Sequence, residues 1–241
     1  MNPVCHRALS LLACMLLPTL AQAGAFSISP IRVELSRASR SMVLTITNGG
    51  DKSTVVQTQI ASWSQAENED RLEPTKDVIA SPPIFTLAPG ATQLVRIYLR
   101  GEPGAVRETT YRIVLSEVLP AQEAGMSGAR FALKLSVPIF VQSLKEGKPR
   151  IEWSAKRASQ GRLELSITNT GDRHIQVQRI ALGDAADPDI RFAGLLYVLP
   201  GERRSVMLSP EKGRAIGTGR MRLTAETDFG ALEDDVSIDL P

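Results

Sequence analysis

Beyond residue 23 the sequence contains no cysteine, because Cys5 and Cys14 are the only two it has. No disulfide can staple the chain past that point, although its leader implies export, where disulfides are allowed. Stability must then come from buried apolar surface, which two domains of roughly 100 residues each can supply. Histidine is nearly missing too. His6 and His174 are the two present, and only His174 lies outside the leader. That excludes multi-histidine metal centres, including the copper–zinc site carried by one sandwich fold. No metal or cofactor is expected. The formal charge of +2 gives no electrostatic case for nucleic acid. A second long apolar run is also lacking, so membrane insertion of the mature chain is not expected.

The first apolar run reads as a leader. Met1 to Arg7 is short and ends in a cation, Ala8 to Leu20 is apolar, and Ala21-Gln-Ala23 is a small-x-small cleavage signal. This is the three-part pattern of a secretory signal peptide. The expected division is 1–23 signal peptide, 24–145 first domain and 146–241 second domain. Leu11-Leu-Ala-Cys14 has the form of a lipoprotein box, but the apolar core runs on through Met15, Leu16 and Leu17, past that cut.

What the mature chain does contain is a segment that occurs twice. Leu44-Thr-Ile-Thr-Asn48-Gly-Gly-Asp51 returns as Leu165-Ser-Ile-Thr-Asn169-Thr-Gly-Asp172. A second pair comes after each copy: Leu87-Ala-Pro89-Gly90 and Val198-Leu-Pro200-Gly201, each running into another apolar strand. Strand, polar turn, Pro-Gly turn, strand is the grammar of a β domain, and the repeat is too long for a solenoid. Seven strand candidates fall in each half, with no long 3.6-residue stripe. The expected fold is all-β: two tandem immunoglobulin-like β-sandwich domains. Ser143 to Arg150, with its Gly, Pro and charges, reads as the linker. Glu67-Asn-Glu69-Asp70 reads as a solvated turn.

Two segments stand out for function. In the first strand the apolar residues are Phe26 and Ile28 before Pro30, but Ile31, Val33 and Leu35 after it. A parity change flips the buried face, so the strand is expected to switch sheets at Pro30. That would turn Arg32 away from the core side held by Ile31 and Val33. The second segment is Arg130-Phe131-Ala-Leu133-Lys-Leu135-Ser-Val137-Pro138-Ile-Phe-Val141. Phe131, Leu133, Leu135 and Val137 share one face. As the last strand of the first domain it sits at an edge, and Pro138 suits an edge. A long apolar edge is a hazard unless a partner covers it, and it can hold another chain by strand addition.

These residues resemble the periplasmic pilus (fimbrial) chaperones of chaperone–usher systems. The similarity runs through Arg32 with Ser41–Asn48, through Pro82-Pro83-Ile-Phe-Thr-Leu87-Ala-Pro89-Gly90 with Val95-Arg96, through Arg107-Glu108-Thr-Thr-Tyr111-Arg112, and through the strand at Phe131–Val137. The resemblance implies two domains set at an angle, in a boomerang-like molecule, and a periplasmic protein, not an enzyme, whose partners are pilin subunits and an outer-membrane usher; the free chain is either a monomer or caps its edge by self-association. Phe131, Leu133, Leu135 and Val137 would be lent to a subunit that lacks a strand. Arg32 would hold the subunit's C-terminal carboxylate through paired hydrogen bonds. Two departures mark a divergent, Csu-type or spore-coat-like branch. The family's second anchoring lysine falls on Pro138, and an interdomain arginine falls on Gln142. Arg112 is the candidate replacement anchor. The other reading of Arg112, an arginine pairing locally with its stem over the core, stands equally. Arg96 and Glu108 match the interdomain ion pair.

Two rival functions compete with this reading. A nucleophilic triad can be drawn on paper from Asp172, His174 and a serine, but both named residues sit in the turn that mirrors Asp51-Lys-Ser53. A secreted structural subunit or adhesin of a surface fibre is the alternative. It would favour a single domain with a donating N-terminal extension, whereas the mature chain starts only two residues before its first strand.

Overall fold

Seventeen strands carry the described residues of this computed structural model, which are 26–119, 132–184, 188–211, 216 and 219–239. The expected leader, Phe131 and most of the loop before it lie outside them. The first domain holds β1 (Phe26–Ser29), β2 (Val33–Leu35), β3 (Ser41–Asn48), β4 (Thr54–Ala66) and β5 (Glu69–Pro74). It continues with β6 (Val78–Ser81), β7 (Ile84–Leu87), β8 (Thr92–Leu99), β9 (Thr109–Val118) and β10 (Lys134–Val141). The second domain holds β11 (Ile151–Arg157), β12 (Leu163–Asn169), β13 (Ile175–Gly183) and β14 (Pro188–Val198). It ends with β15 (Arg203–Leu208), β16 (Gly219–Thr227) and β17 (Gly230–Asp239). The single helical element among the described residues is a 3₁₀ turn at Ser159–Gly161.

In the first domain two sheets face each other, ordered β1-β3-β8-β6 and β2-β10-β9-β4-β5, with β7 paired to β4. Period-2 alternation places Leu44 and Ile46 of β3, Val95 and Ile97 of β8, and Ile113 and Leu115 of β9 in one core, each 3% exposed or less. Burying side chains of this size stabilises the fold by about 1.5–3 kcal/mol each. The sheet switch at Pro30 is present: β1 pairs with β3, and β2 pairs in parallel with β10. Ile31 departs from the expectation. It is 79% exposed, because the chain bends between the two strands and only Val33 regains the core.

The second domain forms one run of strands, β14-β13-β16-β17-β11-β12-β15. Its two halves meet through a short parallel contact of β17 with β11 and close over a core that draws on every strand. The architecture is therefore two tandem immunoglobulin-like sandwiches.

The repeated segment has a structural meaning. Asn48 is buried, its Nδ2 donates to Lys52 O (2.8 Å) and Leu87 O (3.1 Å), and its Oδ1 accepts from Gly50 N–H (2.9 Å). Asn169 repeats this pattern with Arg173 O (2.7 Å), Val198 O (3.1 Å) and Gly171 N–H (3.0 Å). One asparagine thus ties its own turn to the Pro-Gly turn of the second motif in each domain. Gly90 and Gly201, at φ 70° and 80°, complete those turns in the left-handed region that glycine enters freely. The two motifs recur together because they touch.

Candidate functional site

β10 lies between two neighbours of unequal length. Along one flank it pairs with β9 from Lys134 to Val141. Along the other, β2 covers only Ile139, Phe140 and Val141. Glu117 N–H donates to Leu133 O (2.9 Å) and Gln142 N–H donates to Leu35 O (2.9 Å). In an antiparallel ladder this parity sends odd residues of β10 to β9 and even residues outward. Lys134 and Ser136 therefore point their backbone groups at a flank where no strand lies among the described residues. Pro138, also even, lacks its N–H on that same side, so it leaves the β9 ladder intact.

The side chains of β10 divide accordingly. Leu133 and Leu135 are half-buried and line a groove with Phe26 and Ile28 of β1, at the open seam between the two sheets. Val137 is 5% exposed and sits inside the domain's own core. Glu117 clasps the start of the strand. Its Oε2 accepts from Leu133 N–H (3.2 Å) while its Oε1 accepts from Thr54 Oγ1 (2.8 Å).

The even face of β10 meets the second domain. Phe140, Trp63 and Leu199 form a separate buried cluster, with Tyr197 packed against it. Trp63 meets Tyr197 edge-on at 5.5 Å, and Phe140 stacks flat on His174 at 3.4 Å. Two guanidinium groups lie on this aromatic floor. Arg32 is 5.8 Å from the Phe140 ring centre and 5.9 Å from that of Tyr197. Arg112 lies 3.8 Å over Trp63, a cation–π geometry.

Each arginine is held by a carboxylate. Arg32 Nη1 donates to Asp228 Oδ2 (2.9 Å), and Nη2 donates to Gln176 Oε1. Arg112 Nη2 lies 3.4 Å from Asp70 Oδ2, and Arg204 Nη1 lies 3.4 Å from Asp70 Oδ1. Burial lowers the Arg112 pKa, with Asp70 offsetting part of that and Arg204 adding to it. Burial also works against the charge of Arg32, but Tyr197 and Asp228 outweigh it and the pKa is raised.

His174 is the centre of the junction and is fully buried. Its Nδ1 lies 2.6 Å from Glu108 Oε1, which also accepts from the His174 backbone N–H (3.2 Å). Its Nε2 lies 3.6 Å from Asp228 Oδ2, beyond hydrogen-bond reach, and has no hydrogen-bond partner among the described residues. Burial disfavours its charge, yet Asp228 and Glu108 more than offset this and raise the imidazole pKa. Burial pushes Asp228 the other way from its partners; His174, the Gln176 N–H and Arg32 prevail and lower its pKa.

The residues expected to act together are thus partly joined and partly not. Arg32 and Arg112 reach one aromatic floor. Arg96 and Glu108 do not pair: Arg96 is exposed on β8, opposite Val43, while Glu108 takes His174 and lies 3.7 Å from Arg173 Nε. The correction has a simple cause. Arg96 points out of the sheet that faces away from the second domain. The stretch expected to be a solvated turn is one, with Glu67 to Asp70 all exposed, and it has a further role. Asn68 Nδ2 donates to Ser205 O (2.9 Å) and its Oδ1 accepts from Ser205 N–H (2.7 Å), so the β4–β5 hairpin caps the edge of β15.

Residues 25–143 match the family model described as the pili and flagellar-assembly chaperone, PapD N-terminal domain. Through that domain the chain belongs to the pilus-assembly chaperones. Solved chaperones share its whole architecture at low identity. The CsuC–CsuE chaperone–tip adhesion subunit pre-assembly complex from archaic chaperone–usher Csu pili of Acinetobacter baumannii gives a TM-score of 0.66 at 19% identity, covering 90% of this chain and 100% of that one. The E. coli chaperone DraB gives 0.59 at 19%, covering 89% and 96%. The SafB chaperone in complex with the Salmonella enterica SafA pilin gives 0.59 at 17%, covering 87% and 95%. At such identities the likeness shows the fold. No curated protein matches this sequence.

Several residues of this pilus chaperone's junction carry no mark in the sequence. Asp228 has the look of a tight Asp-Phe-Gly turn, and Gln176 that of an ordinary strand residue. Trp63 shows its place only through the burial of its strand. On β4 the buried positions are Val56 and Thr58, then Ala61, Trp63 and Gln65. Burial changes parity where the strand leaves its own core and enters the junction.

Proposed function

We propose that this chaperone lends the free flank of β10 to a pilin subunit that lacks a strand, holds the subunit's C-terminal carboxylate at Arg32, and delivers it to an outer-membrane usher. The leader pattern and the family support a periplasmic setting. The role needs no catalytic step, cofactor or metal.

One observation carries the reading. β2 runs parallel to β10 and begins at Val33, opposite Ile139. The lane beside residues 134–138 is therefore in line with β2 and stops at its start. A guest strand running in the same direction would end where β2 begins, at Arg32. Its terminal carboxylate would meet a guanidinium whose fork suits it. Along the lane, alternate guest side chains would cover Leu133 and Leu135 at the open seam, as in strand addition. Val137 would act from within the core, shaping the floor of the seam. Phe131, by its place in the alternation, would extend the apolar row.

The test is recovery of a partner from the periplasm by the tagged chain, with mass identification. The unmodified chain is expected to bring down a pilin at fixed stoichiometry. Arg32→Ala and the pair Leu133→Asp with Leu135→Asp are expected to lose it while remaining soluble. Undiminished recovery by either variant would refute the corresponding part of the reading.

A further inference from the structure

Arg32 is not empty-handed in the free chain. Both of its terminal nitrogens are engaged by the second domain, Nη1 by Asp228 Oδ2 at 2.9 Å and Nη2 by Gln176 Oε1. Asp228 is itself aimed, because its Oδ1 accepts the Gln176 backbone N–H at 2.8 Å. The fork that would take a guest carboxylate already holds a carboxylate. Beside it lies a second partner, near but not hydrogen-bonded. His174 Nε2 is buried, has no hydrogen bond among the described residues, and lies 3.6 Å from the same Oδ2. A buried group left without its hydrogen bond is costly, and a small move of Asp228 would satisfy it.

We propose that Asp228 is an internal stand-in for the guest's terminal carboxylate, displaced from Arg32 when the guest arrives and passed to His174 Nε2. The inference rests on Arg32 being the anchor. It makes Asp228 and Gln176 positioning residues: they keep the guanidinium oriented in the free chain and set how strongly a guest must compete. It also gives the exchange a proton balance. Nδ1 must carry a hydrogen to bond Glu108, so a neutral His174 has a lone pair at Nε2. Receiving Asp228 then takes up one proton from solvent. The charged and titratable groups around the ring are Glu108 before β9, Asp228 in the β16–β17 turn, Arg173 in its own turn with Glu34 behind it, Arg32 through the shared Oδ2, and Tyr197 of β14. Among these, His174 is the one whose ordinary pKa lies near neutrality.

The probe is a synthetic strand peptide of alternating Val and Thr with a free C-terminal acid, compared with its C-terminal amide, by calorimetry on the full chain. The acid is expected to bind about ten-fold more tightly near pH 6 than near pH 8, the effect of one linked proton over part of its titration. Asp228→Asn is expected to bind the acid about ten-fold more tightly than the unmodified chain near pH 8, the scale of a partly screened ion pair removed from competition, and to flatten the pH profile. Weaker or unchanged binding by Asp228→Asn would overturn the stand-in and leave the anchor intact. Acid and amide bound alike would overturn the anchor, and the stand-in with it. A measurement free of substitutions is the NMR titration of His174 with and without the acid peptide. The peptide is expected to raise the midpoint, and an unmoved midpoint overturns the exchange.

Discussion

Replacing Glu108 by Gln should destabilise the chain in a pH-dependent way. Glu108 is 6% exposed and accepts two hydrogen bonds from His174, one from the ring and one from the backbone. Gln keeps the size and can still accept from the backbone N–H, but it removes the charge that faces the imidazole. The His174 pKa is raised, so its stabilising contribution is complete below the ordinary imidazole value and disappears as pH rises through the raised folded value. Asp228 is lowered, so its contribution is present above the ordinary carboxylate range and is lost only in acid; it stays constant through this window. Near pH 6 the substitution removes a bond between two charged groups, at the upper end of about 1.5–3 kcal/mol, and near pH 9 one in which only the carboxylate is charged, at the lower end of that range or below. The gap between the chain and its variant should shrink by about 1–2 kcal/mol across that range, or several degrees in Tm at about 2–4 °C per kcal/mol. Urea unfolding followed by tryptophan fluorescence suits the measurement, since Trp63 reports on the first domain and Trp153 on the second. A gap that is the same at both pH values would refute a charged His174 as the group that Glu108 holds.

Arg112→Met removes the guanidinium that lies over Trp63 and faces Asp70, so stability should fall by about 1 kcal/mol, because the Asp70 pair is partly exposed and a cation–π contact adds a similar small amount. Recovery of the pilin should nevertheless fall; normal recovery would make Arg112 a local, structural arginine. Asn68→Ala removes both hydrogen bonds to the Ser205 backbone and should lower stability by about 1 kcal/mol while loosening one domain against the other. Residual dipolar couplings that stay unchanged in the variant would show that the hairpin does not brace the junction.

Much of the fold can be read because it is local. Leu44 to Asp51 and Leu165 to Asp172 carry the same strand-and-turn chemistry, and a single buried asparagine in each explains why. The switch at Pro30 is visible as a change of parity. What parity cannot supply is the partner across a gap. Ile31 continues the odd register of Val33 and Leu35, yet the bend before β2 leaves it in solvent. Arg96 and Glu108 suit an ion pair by motif, but the strand that carries Arg96 faces the wrong way. Glu67 to Asp70 has the composition of a surface turn, and its role emerges only when β15 is brought beside it. Asp228 is 196 residues from Arg32, and nothing in the local pattern of either predicts the other.

The grammar of β10 itself explains how one strand serves two purposes. From Leu133 to Ser136 large apolar and polar residues alternate, which is the pattern of a strand with one wet face. From Val137 to Val141 every residue is apolar and every one is buried. A continuous apolar run needs cover on both faces, and it has it: Val137, Ile139 and Val141 enter the core of the first domain, while Phe140 lies under His174 of the second. The change falls where β2 begins to pair. On one side of that point β10 is welded into its own molecule by backbone bonds on both flanks. On the other it has, among the described residues, one paired flank and a half-buried apolar row. A strand lent to a guest must be fixed at one end to keep register and open at the other to be shared, and the residue at the boundary is the one beside which Arg32 stands. Shifting the boundary should therefore shift the guest. Extending β2 toward its N-terminus, so that it pairs past Ile139, would shorten the open lane and move the anchor away from it, and capture should be lost although every lent side chain remains.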